Sequence, residues 1–334
     1  TYLLTTTSYL SVALALPILM FSKVILMKSL MLVAPYQLEW IEQEDRILNP
    51  NEVMVKTIAS AISIGSELPQ YAGTARSERA IQYPKMTGYE NVGRVVEIGS
   101  HVENVRVGQR VVAFYGYRTK AIVDCQSVIP VDDDISDKVA LLTILSCDVA
   151  KGIRKLKPYP EESVLVTGSG AIGLLACYVL SAYGLRNISA VDPIEVRQDL
   201  ARALGARVAT SPTEVKNQDT LYDLGIECSS FQDAFALLQT KMKLNGKIAV
   251  LSDGNREPLV LLPDFHAKEL TLFGSSDGWN YAKHAEWFFD SIRISDKPIE
   301  KIFDLTIGSQ EIASTFASLA NNELRAIKVF ITDF

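Results

Sequence analysis

The stretch from Glu162 to Gly173 constrains the fold of this 334-residue chain more than any other. Glu162-Ser163-Val164-Leu165-Val166-Thr167 reads as a buried strand. Gly168-Ser169-Gly170-Ala171-Ile172-Gly173 follows at once, then a helical run from Leu174 to Tyr183 that Gly184 closes. A second strand is expected at Asn187–Asp192 and a second helix at Arg197–Leu204, closed by Gly205. Further strands are expected at Leu224–Glu227, Lys247–Leu251 and Glu269–Phe273. Strands alternating with helices predict an α/β, doubly wound parallel sheet with helices on both faces.

Three glycines spaced G-x-G-x-x-G between a strand and a helix match the loop that holds a dinucleotide. Gly168 permits the tight turn, Gly170 lets backbone approach a pyrophosphate, and Gly173 lets helix and strand pack closely. The amides of Ser169, Gly170, Ala171 and Ile172 stand where a helix N-terminus presents N–H groups to phosphate. Asp192 ends the next strand, placed to accept from the adenosine ribose hydroxyls. A 2′-phosphate there would meet a like charge, so NAD is expected over NADP. Arg197 is the residue able to soften that preference, or else part of a solvated helix face.

Residues 27–129 read differently, as short β-branched runs separated by turn signals. Val53–Lys56, Gly93–Ile98 and Arg110–Phe114 are examples, and their spacing suggests a small irregular β-barrel. Ile135–Lys157 then turns helical. A chain this long is expected to hold two domains. Its 33 basic against 39 acidic residues offer no evident footprint for nucleic acid. Cys125, Cys147, Cys177 and Cys228 form no CxxC pair and suit a reducing, cytoplasmic setting. Residues 1–26 are an apolar extension, uncharged from Tyr9 to Phe21 but lacking a basic leader. The preferred expectation is an extension ahead of a start at Met27. A membrane anchor or export signal and a domain helix are the alternatives; without an anchor, no membrane partner is expected.

Several motifs together carry a family resemblance. They are Met27-Lys28-Ser29-Leu30 with Ala34-Pro35, Ile64-Gly65-Ser66-Glu67-Leu68, Gly88-Tyr89-Glu90-Asn91-Val92-Gly93, Val107-Gly108-Gln109-Arg110-Val111 and Leu204-Gly205-Ala206. With the barrel first and the dinucleotide unit second, the chain resembles the medium-chain dehydrogenase/reductase family from Met27 to Phe334. The resemblance implies a GroES-like β-barrel catalytic domain, residues 27–147 and 274–334, and a Rossmann domain, residues 148–273. Its expected partners are a small-molecule substrate and no nucleic acid, with a homodimer left open.

The departures from that family narrow the chemistry. In its zinc alcohol dehydrogenases one loop supplies a Cys ligand where Ile64 stands, and another a His ligand where Tyr89 stands. The third ligand falls near Ile144 or Cys147, and the four-cysteine structural-zinc lobe is missing between Val112 and Ala121. No zinc is therefore expected. Ser63-Ile64-Gly65-Ser66-Glu67 with Gly88–Gly93 resembles a zinc-less branch that includes the bacteriochlorophyllide a dehydrogenase type.

Without a metal, other groups must manage the alcohol proton or the developing oxyanion. Ser66 sits where the family has a relay hydroxyl, and the Tyr89 phenol replaces a ligand aimed at the reacting oxygen, where it is expected to donate. Base work by that phenol needs its pKa lowered from about 10, for which Lys151 or a nearby cation is the candidate. The alternatives are a space-filling Tyr89, a loop-capping Ser66 and a solvated Lys151. Cys147, Asp148 and Lys151 have a spacing that brings them near one another on a helix. Glu90 and Glu67 are expected to order the loops. Gly274–Tyr281, followed by His284 and Trp287 on a helix, returns the chain to the substrate cleft or packs the domain interface.

The expected activity is zinc-independent hydride transfer between NAD(P) and a small-molecule alcohol or carbonyl. The alternatives are an NADPH-dependent quinone or enone reductase and a non-catalytic dinucleotide-binding sensor or structural protein.

Overall fold

The computed structural model describes residues 26–76, 81–253 and 257–334. The apolar extension thus lies, apart from Leu26, outside the described residues. Six parallel strands form one sheet in the order 208–210, 187–191, 163–167, 222–227, 242–250, 271–274. Numbered along the chain, that order is 3-2-1-4-5-6, the doubly wound arrangement whose crevice opens at the carboxyl ends of the strands. The glycine-rich loop sits at that crevice, between the first strand and the helix Ala171–Ala182.

The barrel is built from two sheets. One carries Gln37–Gln43, Met27–Ala34 and Lys85–Met86. The other runs Leu305–Gly308, Val329–Thr332, Glu52–Ile62, Glu90–Ile98, Arg110–Ala113, Ile129–Val131, with Lys120–Asp124 beside Glu52–Ile62. The chain therefore returns from the parallel sheet to complete the barrel with its last strands.

The helix Asp137–Leu156 joins the two units. Ser136 caps it by accepting from the Val139 amide at 3.2 Å. It packs on the barrel strands 52–62 and 90–98, on strand 242–250, and on the helices 171–182 and Tyr281–Arg293. Partners on every side explain why most of its residues from Val139 to Leu156 are buried and apolar. Among the described residues no helix is long and apolar enough to cross a membrane.

Candidate active site

The glycine-rich loop is shaped by contacts that only glycine permits. Gly168 has φ +84°, and a Cβ on Gly173 would lie 1.8 Å from the Gly168 carbonyl oxygen. A Cβ on Gly170 would meet nothing within 4 Å, so that backbone faces open space. Gly170 is the N-cap of Ala171–Ala182 and offers no side chain to its first amides. The Ser169, Ser230 and Ser275 hydroxyls are buried with no hydrogen-bond partner among the described residues. All three follow carboxyl ends of parallel strands, where a ligand binds in this architecture. Open backbone and orphaned hydroxyls fit a dinucleotide.

Asp192 is buried beside the loop. Its Oδ2 accepts from the Ser169 amide at 2.7 Å and its Oδ1 from the Ile194 amide at 2.9 Å. Each oxygen keeps a further lone pair for a ribose hydroxyl. Arg197 is half-buried in the first turn of Glu195–Ala203. Two supports escaped the sequence reading. The Gln198 side-chain Nε2 donates to the Asp192 backbone carbonyl at 2.8 Å. Buried Glu227 accepts from the amides of Ser229 and Ser230 at 2.7 and 3.0 Å.

The hydroxyl pair lies at the barrel side of the site. Ser66 is on the short helix Ile64–Tyr71, and Tyr89 is in the loop entering strand Glu90–Ile98. Their oxygens are 3.1 Å apart. Gly88 makes the Tyr89 loop possible. It has φ +82°, and a Cβ there would press to 2.8 Å from the Tyr117 ring. Buried Glu67 ties the two loops by accepting from the amides of Ser63 (2.8 Å) and Gly88 (3.1 Å) and from the Tyr117 hydroxyl (2.8 Å). Burial pushes the Glu67 carboxyl up to about 7 despite these donors.

Tyr89 corrects one expectation. Its phenol is raised well above the ordinary value, by desolvation first and then by the carboxylates of Glu90 and Glu67. Lys151, the candidate to offset them, is engaged elsewhere. The Lys151 ammonium instead donates to the Ser276 carbonyl at 2.6 Å and lies 5.5 Å from the Trp279 ring centre. The phenol is thus held protonated, which suits donation and not base work.

Lys151 belongs to a clasp on the segment after the last sheet strand. Lys155 donates to the Gly274 carbonyl at 2.5 Å, the Cys147 thiol to the Trp279 carbonyl at 3.4 Å, and the Tyr281 hydroxyl to Asp148 at 2.8 Å. Burial pushes Asp148 up to about 7. The Tyr281 ring meets Phe114 edge-on at 5.3 Å, closing the seam between barrel and parallel sheet. His284 is buried, bonded to the Ser146 hydroxyl at 2.8 Å, and desolvation lowers it to about 3.

One ion pair was missed entirely. Lys328, just before strand Val329–Thr332, and Glu90 are fully buried with Nζ and Oε1 2.7 Å apart. The Lys328 ammonium also donates to the Ser63 hydroxyl at 3.0 Å, and that hydroxyl donates to Glu90. A lone lysine near the C-terminus carries no sequence signal that it will be buried beside a glutamate 238 residues away.

These residues do not fit a zinc ion. Among the described residues no group of three or more His, Cys, Asp or Glu could hold a metal. Ile64 offers no donor atom. One Glu90 oxygen is committed to Lys328 and Ser63, leaving a single unpartnered oxygen. The Cys147 thiol is turned to Trp279, and burial pushes it up to about 11, away from the thiolate that binds metal.

Two family models match the chain. A zinc-binding dehydrogenase model matches residues 171–288, and an alcohol dehydrogenase GroES-like domain model matches residues 49–133. Among similar curated proteins, an L-threonine 3-dehydrogenase of Chelativorans sp. (strain BNC1) is 27% identical over 68% of this chain and 76% of its own length. One of Vibrio parahaemolyticus is 27% identical over 67% and 76%. Among solved structures, a short chain alcohol dehydrogenase from E. coli CFT073, complexed with NADH, superposes with a TM-score of 0.79. It is 23% identical, covering 92% of this chain and 99% of that one. An alcohol dehydrogenase from Thermotoga maritima gives a TM-score of 0.81 at 15% identity, covering 93% and 100%. At these identities the structural likeness establishes the fold.

Proposed function

Because the chain belongs to the medium-chain dehydrogenase/reductase family, of the zinc-type alcohol dehydrogenase kind, and is an oxidoreductase, we propose that it works without zinc. Its reaction is hydride transfer between a nicotinamide cofactor and a small-molecule alcohol or carbonyl. The observation that carries the zinc-free reading is the Ser66–Tyr89 hydroxyl pair, 3.1 Å apart, beside loops with no competent ligand set. The pattern Ser63–Glu67 with Gly88–Gly93 supports the zinc-less branch that includes the bacteriochlorophyllide a dehydrogenase type.

In this reading residues 148–273 hold the cofactor, and residues 27–147 with 274–334 hold the substrate. A bound nicotinamide cofactor supplies or accepts the hydride. Gly168, Ser169, Gly170, Ala171, Ile172 and Gly173 cradle its phosphates by backbone amides, and Asp192 favours NAD by repelling a 2′-phosphate. During carbonyl reduction Tyr89 donates to the oxygen as negative charge grows there, and Ser66, which is only partly buried, orients the phenol and relays a proton to it from solvent. In alcohol oxidation the same hydroxyls carry the proton away. Free thiols at Cys125, Cys147, Cys177 and Cys228 support a reducing compartment such as the cytoplasm.

The test is NADH fluorescence followed by a panel of alcohols, carbonyls and enones. Turnover of an alcohol or carbonyl with no added metal supports the reading. Turnover of enones alone would move it to the enone reductases. Tight NADH binding with no turnover of any panel member would make the chain a dinucleotide-binding protein without catalysis.

A further inference from the structure

We infer that Tyr117 is a positioning residue for Tyr89: by gripping Thr87 and Gly88 it sets where the phenol stands toward the reacting oxygen. The inference rests on the proton-donor role proposed for Tyr89.

Thr87, Gly88 and Tyr89 belong to no strand or helix, so no ladder fixes the backbone just before the phenol. Tyr117 reaches that backbone in three ways. Its amide donates to the Thr87 carbonyl at 2.9 Å. Its ring faces Gly88, where a Cβ would lie 2.8 Å from it. Its hydroxyl donates to Glu67 Oε2 at 2.8 Å, and the same oxygen accepts from the Gly88 amide at 3.1 Å. Burial first, and then Glu67, raises the Tyr117 phenol well above its ordinary value, so it keeps a proton to donate. Gly88 is the chain neighbour of Tyr89, and Glu67 is that of Ser66. One side chain thus holds a neighbour of each member of the hydroxyl pair, whose oxygens stand 3.1 Å apart.

A residue can position another only if it is itself fixed. Tyr117 is fully buried, and its carbonyl accepts from the Leu30 amide at 2.8 Å. Its ring meets Phe316 edge-on at 6.3 Å, and its hydroxyl lies 3.1 Å from the Ala61 carbonyl. These contacts come from strands Met27–Ala34 and Glu52–Ile62 and from the helix Ile312–Ala320. A plain core tyrosine ties buried elements to one another. Tyr117 instead ties the core to a loop whose next residue is the proton donor. Such a donor must stand within about 2.6–3.2 Å of the oxygen it serves. A misplacement of about 1 Å costs about a hundredfold in rate. Slackening at Gly88 is therefore felt at the phenol.

The experiment uses full-length protein carrying [ζ-13C]tyrosine. The chain has 13 tyrosines, so the Tyr89 resonance is assigned by its loss in Tyr89→Phe. Tyr117→Phe keeps the ring against Gly88 and the backbone bond to Thr87, and removes the tie to Glu67. It should move the Tyr89 resonance and lower kcat by about tenfold with the fastest substrate of the panel. NADH affinity should stay within about twofold. The same change made in Tyr89→Phe should cost less than about twofold, as expected of a residue acting through that hydroxyl. Gly88→Ala presses on the same contact from the loop side and should show the same effects, so it carries the test if Tyr117→Phe does not fold. An unmoved Tyr89 resonance or an unchanged kcat in the folded variants overturns the inference, as does loss of folding in both. So does a loss of turnover that is equal with and without the Tyr89 hydroxyl, which is what a purely structural tyrosine would give. Wild-type turnover in Tyr89→Phe alone would instead overturn the role of Tyr89 itself, so the two failures are distinguishable.

Discussion

Replacing Tyr89 with phenylalanine removes one oxygen from the site and almost no volume. The ring keeps its place beside the buried core of the long helix, where Tyr89 packs as a partly buried side chain. The hydroxyl loses its contact with Ser66 at 3.1 Å. One net hydrogen bond costs about 1 kcal/mol of stability, so the fold should survive with a slightly lower Tm. Catalysis should suffer far more. A placed proton donor contributes about 10²–10⁴-fold, which is about 3–5 kcal/mol of barrier. The loss should appear in kcat for carbonyl reduction, followed by NADH absorbance, with NADH affinity unchanged. The pH profile adds a sign. The phenol is raised above its ordinary value by burial and by Glu90 and Glu67. An acid works while protonated, so wild-type reduction should show no loss from this group between about pH 6 and about pH 9. Tyr89→Phe turning over within about twofold of wild type, with NADH binding intact, would refute the reasoning.

Four further outcomes are expected. Protein purified without chelators should contain no stoichiometric zinc by elemental analysis, since Ile64 and Tyr89 replace ligands and Cys147 is held as a thiol; about one zinc per chain would overturn this. NADH should bind more tightly than NADPH by at least about tenfold, or ~1.4 kcal/mol, and Asp192→Ala should narrow the gap in paired titrations. Gly173→Ala should abolish cofactor binding or folding, because its Cβ would lie 1.8 Å from the Gly168 carbonyl; a well-folded variant with wild-type NADH affinity would refute the loop geometry. Glu67 holds its proton more tightly folded, at about 7, than its ordinary 4.5, so its contribution to stability is full at low pH and is lost as pH rises across that window. The Tm of wild type relative to Glu67→Gln should therefore fall between about pH 5 and about pH 8, and a constant difference would show that Glu67 does not titrate there.

The parallel sheet was legible because its signals are local. Val164-Leu165-Val166, the three glycines and Leu174–Tyr183 each specify their own conformation, and the observed strand Ser163–Thr167 and helix Ala171–Ala182 follow them closely. The barrel was legible only as a type. Its strands pair across long separations, and Val329–Thr332 against Glu52–Ile62 depends on nothing within either segment. Helix periodicity brought Cys147, Asp148 and Lys151 onto one element, but what they grip, from Gly274 to Tyr281, is set by tertiary packing.

The site shows the same division at smaller scale. Ser66 and Tyr89 were readable because each lies in a motif, and the fold brings their oxygens to 3.1 Å. Lysine gives no local signal of where its ammonium will go. Lys151 lies on a helix already close to the site, yet its stem reaches the Ser276 carbonyl, where its charge stays near solvent. Lys328 lies on a strand end with no motif, yet burial strips its water and leaves Glu90 and Ser63 as its hydrogen-bond partners. A charge acts most strongly where water is excluded. The lysine whose burial depends on contacts between distant segments is therefore the one that could not be read from the chain.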